Sequence, residues 1–172
     1  MVPLPLEESV AFEVGDQVVY PPQGAGVIAE KTTREVFGSQ AEYLKIVLIR
    51  GNMEILVPLK RDEEVGLRHT IGSEEIGQLT ETMARGDLNL PSQWPSRHRA
   101  EQGILAKGNA YDLARLIGVL VRRSLEKSLA ASEREVLEDA KGMLSSELAV
   151  VQGLDLEGAA EMLESLIAAK IG

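Results

Sequence analysis

The chain has no cysteine, which excludes disulfides, thiolate metal ligands and thiol nucleophiles. Histidine is nearly as scarce: His69 and His98 stand far apart, too few for a zinc cluster, so neither a metal nor a cofactor is expected. Aromatic residues make up only 3% of the chain. No stretch approaches the roughly eighteen consecutive apolar residues that a membrane span needs. Met1 to Val10 carries Glu7 and Glu8 where a secretory signal would have basic and then apolar residues. The expectation is a soluble, cytoplasmic protein with no membrane partner. What is present is an apolar content of 44% in 172 residues, enough to bury ordinary cores in one compact domain or two small ones.

Basic residues are also in deficit, 18 Lys and Arg against 27 Asp and Glu. The net charge of -9 argues against unspecific coating of nucleic acid, because neutralising phosphates takes a basic surface. The distribution is uneven, however. Residues 1–90 hold eight Lys/Arg against fifteen Asp/Glu, residues 91–134 hold eight against four, and residues 135–172 hold two against eight. A segment of net +4 therefore lies between two acidic ones, and it reads either as a solvated helix face or as a local anion-binding patch.

From Phe12 to Leu59 short β-rich runs alternate with turns: Val18 to Tyr20, Gly26 to Ile28, Glu42 to Ile49 and Glu54 to Leu59, punctuated by Pro21-Pro22-Gln23-Gly24 and Arg50-Gly51-Asn52. So many short strands in so few residues bury a core only by curling, which predicts a small β-barrel. After Gly72 the period becomes helical. Ser73 can cap a helix carrying Ile76, Leu79 and Met83 and ending at Gly86. A loop from Asp87 to Pro91 precedes a helix over Pro95 to Lys107, stopped by Gly108, and another over Ala110 to Leu129 with Leu113, Leu116, Ile117, Leu120 and Val121 on one face. Ser132 with Glu135 has the form of a capping box for a helix with Leu137, Met143, Leu144 and Leu148 as its stripe. A last helix, capped by Asp155, buries Met162, Leu163, Leu166 and Ile167. The fold class is α+β, a small β domain over residues 12–66 after a tail of residues 1–11, then an all-helical domain over residues 67–172.

No enzyme signature is present: no GxxxxGK[ST] phosphate loop, no HExxH pair, no GxSxG elbow. Gly24-Ala25-Gly26 is expected to lie in a β turn rather than at a strand-to-helix junction, so it presents no helix N-terminus to a phosphate, and its two glycines to serve a tight bend. The acidic run Asp62-Glu63-Glu64 reads as solvated surface. No catalytic residue is assigned. The informative segment is Pro91 to Arg99, with the sole tryptophan, Trp94, at a helix start beside Arg97 and Arg99, and with Arg122, Arg123 and Arg134 on neighbouring helices. A lone Trp near a domain junction is usually packing. An exposed aromatic among arginines is instead the composition of a wedge that stacks on an unpaired base while cations hold the flanking phosphates. The spacing leaves both readings open.

Phe-x-x-Gly-Asp-x-Val-Val-Tyr-Pro at residues 12–21, Gln-Gly-x-Gly at 23–26, Val-Pro at 57–58, Val-Gly-Leu-Arg at 65–68 and Trp-x-x-Arg at 94–97 together resemble the CarD/CdnL family of bacterial transcription regulators, over about residues 12–151. The resemblance implies a Tudor-like β domain, related to the polymerase-interacting module of transcription-repair coupling factor, that docks on the β-subunit lobe of RNA polymerase. It also implies a helical domain that sets its tryptophan in the minor groove at the upstream edge of the melted promoter bubble and stabilises the open complex. Carried over by position, Trp94 is the wedge, Arg97, Arg99 and Arg134 lie where basic neighbours contact DNA, and Arg34 matches a polymerase-contacting arginine; Arg123 joins the expected DNA-binding set, and Ile55 and Leu56 the expected polymerase-binding set. Leu56 stands where some relatives place a basic contact, and Pro95 and His98 replace more usual residues after the tryptophan. A rival reading is an adaptor that binds polymerase with Trp94 packed away and no DNA contact. A hydrolase in the bundle would need clustered titratable residues in a cleft, and the sequence offers none.

Overall fold

In the second half of Ser39–Leu48 every second side chain, Leu44, Ile46 and Leu48, is buried, the period-2 pattern of a strand with one face on a core. The computed structural model describes residues 11–61 and 65–171; Met1 to Val10 and Asp62-Glu63-Glu64 lie outside the described residues. Strands β1 (Gln17–Tyr20), β2 (Gly24–Val36), β3 (Ser39–Leu48), β4 (Glu54–Pro58) and β5 (Arg68–His69) form one antiparallel sheet in the order β4-β3-β2-β1-β5. A register shift between Ile28 and Glu30 bends β2. Among the described residues no ladder joins β4 to β5, so the sheet curls around its core without closing through backbone pairing. Phe12, Val18, Ile28, Leu44, Ile46, Leu48, Val57 and Leu67 form that core.

Strand β2 runs far beyond Gly26 to Ile28, because the hairpin to β3 turns at Phe37-Gly38, both at positive φ (51° and 78°). A phenylalanine in that backbone region gives no turn signal in sequence. Gly51 and Asn52 (φ 72° and 50°) make the next hairpin turn, as their chemistry predicts. Gly24-Ala25-Gly26 opens strand β2 and is not a turn; Gly26 lies opposite Leu48, where an added Cβ would overlap the Val47 carbonyl, so close strand approach and not a tight bend requires it. The sheet also extends past residue 66, since β5 pairs with β1 through Val18–His69 and Val19–Arg68.

The helices are α1 (Ile76–Arg85), α2 (Trp94–Lys107), α3 (Ala110–Glu126), α4 (Ala131–Gln152) and α5 (Leu156–Lys170). Gly86, Gly108 and Gly153 end α1, α2 and α4 in the left-handed region, and Asp155 caps α5 by accepting from the Gly158 N–H at 2.7 Å. Two expected caps differ. Ser73 opens a short 3-10 turn and caps nothing; the Glu75 carboxylate instead accepts from the Gly72 N–H at 2.7 Å. Ser132 lies inside the first turn of α4, whose N-cap is Ala130 without a side-chain bond. The start is set earlier because Leu129 is buried and Glu133 is turned inward. Helix α3 likewise stops at Glu126, before Leu129.

Leu113, Leu116, Ile117 and Leu120 of α3 meet Met83, Leu144, Leu148, Leu163 and Ile167 in a second core, separate from the first. Helix α4 joins the two units. Val19 and Ala25, on the sheet face opposite Val18, are buried, and the Ala25 N–H donates to Ser146 Oγ at 3.0 Å. Gln17 Nε2 donates to the Val150 carbonyl at 3.1 Å. Buried Glu147 accepts both terminal nitrogens of Arg68, at 2.9 and 2.6 Å, and the Ile71 N–H at 2.8 Å. Through these bonds the sheet and the bundle hold one orientation.

Candidate nucleic-acid interface

Pro95 in the first turn of α2 has φ preset for a helix, and Gln93 before it is extended, so the chain turns into α2 with Trp94 at the corner. Trp94 is 39% exposed. Its ring meets His98 one turn on, at 5.1 Å between centroids and tilted by 33°, and the Arg97 guanidinium lies 5.4 Å from its centroid. An indole at this exposure, with a cation over it, is not core packing.

Arg97 is itself anchored. Its Nη1 donates to the Ser92 carbonyl at 3.0 Å, its Nη2 to Glu133 Oε1 at 3.4 Å, and its Nε is 3.3 Å from Glu133 Oε2. Arg123 Nη1 donates to the same Glu133 carboxylate at 2.6 Å. The fully buried Glu101, one turn after Arg97, has an oxygen 3.9 Å from Arg97 Nε. Helices α2, α3 and α4 thus meet around two carboxyls and two guanidiniums. Burial pushes Glu101 up to about 7, and the Glu133 carboxylate beside it adds to the rise as a hydrogen-bond acceptor and as a like charge, against the opposing pull of Arg97 and Arg123. A protonated Glu101 can donate to Glu133; two ionised carboxylates cannot.

The titration has a sign. A carboxyl that holds its proton more tightly folded than unfolded contributes stability that is complete below its ordinary value of 4.5 and is lost as pH rises through about 7. Glu101→Gln keeps the shape and the donor and removes the titration. The variant is therefore expected to gain on the parent by about 2 kcal/mol between about pH 5 and pH 8, read as the difference in unfolding free energy. A difference that stays flat with pH would contradict the assignment.

The five DNA-binding candidates divide by exposure. Trp94, Arg99 and Arg134 face solvent, and among the described residues neither Arg99 nor Arg134 forms an ion pair. Arg97 and Arg123 are largely covered, with side-chain exposures of 18% and 26%, and both are spent on Glu133. Sequence reasoning missed Glu101 and Glu133. The i,i+4 spacing of Arg97 and Glu101 was a signal for the first; Glu133 reaches the cluster only through the packing of α4.

On the sheet, Ala41, Tyr43 and Lys45 alternate with the core residues of β3. Arg34 pairs with Ala41 and Leu56 with Lys45, so both lie on the outer face, Leu56 being 41% exposed. Ile55 pairs with Ile46 and packs against the core, on the other face. Among the described residues strand β4, which carries Ile55 and Leu56, is a sheet edge with one row of backbone groups unpaired by the sheet. Among the described residues no group of three or more metal-ligating side chains converges, and no helix is long and apolar enough to cross a membrane.

Two family models match: the CarD-like/TRCF RID domain over residues 12–71, and the CarD C-terminal domain over residues 78–164. A Bacillus subtilis (strain 168) protein named as a transcription factor, YdeB, is 27% identical over 143 residues, covering 83% of this chain and 94% of its own length. The solution structure of the 72-residue N-terminal domain of Myxococcus xanthus CarD is similar at 28% identity and a TM-score of 0.30, over 34% of this chain and 77% of that domain.

Proposed function

The chain belongs to the CarD family of transcription-associated factors, and from that premise we propose that it binds the β-subunit lobe of RNA polymerase through its sheet and promoter DNA through the start of α2, stabilising the open complex. The observation that carries the DNA arm is Trp94, more than one third exposed on a fixed helix start, with the exposed Arg99 and Arg134 in the basic segment around it. An indole so held can stack on a base at the upstream edge of the bubble, where pairing has been lost, from the minor-groove side. Arg99 and Arg134 neutralise flanking phosphates, and Arg97 and Arg123 act from behind by fixing the surface. The match to the CarD-like/TRCF RID domain supports the polymerase arm, with Arg34 and Leu56 on the outer face and the β4 edge beside them as the docking surface. Its functional unit extends through β5 to about residue 71.

Two weak contacts on one rigid body suffice. Docking on polymerase raises the effective concentration of the wedge beside the bubble, so neither surface needs high affinity alone. The acidic remainder of the chain, at net -9 overall, then suppresses binding to unmelted DNA elsewhere.

The two arms are separately testable. Arg34→Glu, an exposed change, is expected to weaken binding to polymerase by about 1 to 3 kcal/mol, measured by titration of labelled protein with the core enzyme, without changing the melting temperature. Equal affinity would remove Arg34 from the interface. Arg99→Ala and Arg134→Ala should each lower the slope of log affinity against log salt by about one for a bubble-containing promoter fragment, uniformly across sequences. An unchanged slope in both would place the basic face away from DNA and favour an adaptor that contacts polymerase alone.

A further inference from the structure

Helix α2 is poorly fixed by apolar packing, because in its fourteen residues only Glu101 and Leu105 are buried. Between Trp94 and Ala100 no side chain is buried, so hydrophobic burial does not set the angle at which the tryptophan end of the helix leaves the bundle. The contacts that do reach this end are ionic and converge on one residue of another helix. Glu133, 3% exposed in the first turn of α4, holds Arg97 at 3.3 and 3.4 Å. It is held in turn by Arg123 of α3 at 2.6 Å. Arg97 passes the constraint on, lying over the Trp94 ring and bonding the Ser92 carbonyl just before the helix.

We propose that Glu133 is the positioning residue of the wedge: from α4 it orients Arg97, and through Arg97 it fixes the direction in which Trp94 is presented to an unpaired base. The inference rests on the DNA-stacking reading of Trp94. A carboxylate that served only to dock α4 would need one arginine partner. Here the partner on α3 supplies that docking, and the second arginine carries the constraint to the exposed indole. Neutral Gln at this position keeps the volume of Glu133 but cannot pair two guanidiniums, which leaves Arg97 free to rotate into solvent and the indole free to follow it.

Trp94 is the only tryptophan, so its fluorescence reports the wedge without a label. The experiment compares the full-length parent with Glu133→Gln, Arg97→Lys and the double variant. It measures acrylamide quenching of Trp94 in the free protein, far-ultraviolet circular dichroism, and open-complex lifetime on polymerase. With helicity unchanged, Glu133→Gln is expected to raise the quenching constant, by no more than about two- to three-fold because the indole is already 39% exposed, and to shorten the open complex by about two- to five-fold, the factor corresponding to loss of an exposed cation–π contact. Arg97→Lys, which keeps the charge but loses the planar fork, should do the same, and the double variant should be no worse than either single one. Quenching unchanged in Glu133→Gln, or additive effects in the double, would overturn the proposal; if Glu133→Gln does not fold, Glu133→Asp, which keeps the charge but shortens the reach to Arg97, decides it by the same readouts. Quenching is read without DNA. A variant that frees the indole while Trp94→Ala leaves the lifetime intact would retain the positioning role and refute the DNA reading; a lifetime sensitive to Trp94 but not to Glu133 or Arg97 would do the reverse.

Discussion

Glu147→Ala is expected to cost the chain about 3 to 5 kcal/mol of stability, because it breaks a buried ion pair by removing one partner. Glu147 is 1% exposed and carries three bonds, two from Arg68 and one from the Ile71 backbone. Truncation leaves the Arg68 guanidinium, 24% exposed, with only the carbonyls of Gly108 and His69 for partners, and leaves the Ile71 N–H buried with none. An orphaned buried donor adds about 1 to 3 kcal/mol to what the charge pair loses, within the same total. Unfolding in denaturant should show the loss, with the melting temperature lower by on the order of 10 °C for a chain of this size. Glu147→Gln, which keeps one acceptor, should fall between the two. A loss below about 1 kcal/mol would mean that the sheet and the bundle are not locked together through this residue.

That lock bears on function as well as on stability. If polymerase is gripped by the outer face of the sheet and DNA by the start of α2, the distance between the two surfaces is set by α4 and by the bonds of Ser146, Glu147 and Val150 across the sheet. The effective concentration of the wedge then depends on a rigid connection, and loosening it spreads Trp94 over a larger volume.

Much of this architecture was legible in the sequence, and the residues show why. Period-2 burial in β3, the apolar face of α3, the stops at Gly86 and Gly108 and the cap at Asp155 are local signals, and each appears where its chemistry puts it. The hairpin at Phe37-Gly38 was hidden because a bulky residue occupies a backbone region that the usual turn residues advertise. The Ser132 and Glu135 pair had a capping spacing, but tertiary demand on Glu133 and Leu129 set the helix start instead. At the candidate site the arginines and the tryptophan could be singled out from composition. Which arginines are spent internally could not, because that depends on Glu133 of α4, 36 residues from Arg97 and 10 from Arg123, being brought to both by the packing of three helices.

Trp94→Ala is expected to act on promoter opening and to leave folding almost untouched. A tryptophan buried in the bundle would cost about 3 to 5 kcal/mol on truncation. Trp94, at 39% exposure, with His98 and Arg97 against its ring and outside both hydrophobic cores, has little of that to lose, so a change below about 1 kcal/mol is expected in unfolding free energy. Stacking on an unpaired base, by contrast, is worth about 1 to 3 kcal/mol, which corresponds to roughly a five- to 150-fold change in a dissociation rate. The decisive measurement is the lifetime of competitor-challenged open complexes at saturating protein, parent against Trp94→Ala, with polymerase affinity and melting temperature recorded on the same samples. The expected result is a lifetime shortened at least about five-fold at equal polymerase affinity and equal melting temperature. An unaltered lifetime from a folded, polymerase-bound variant would contradict it.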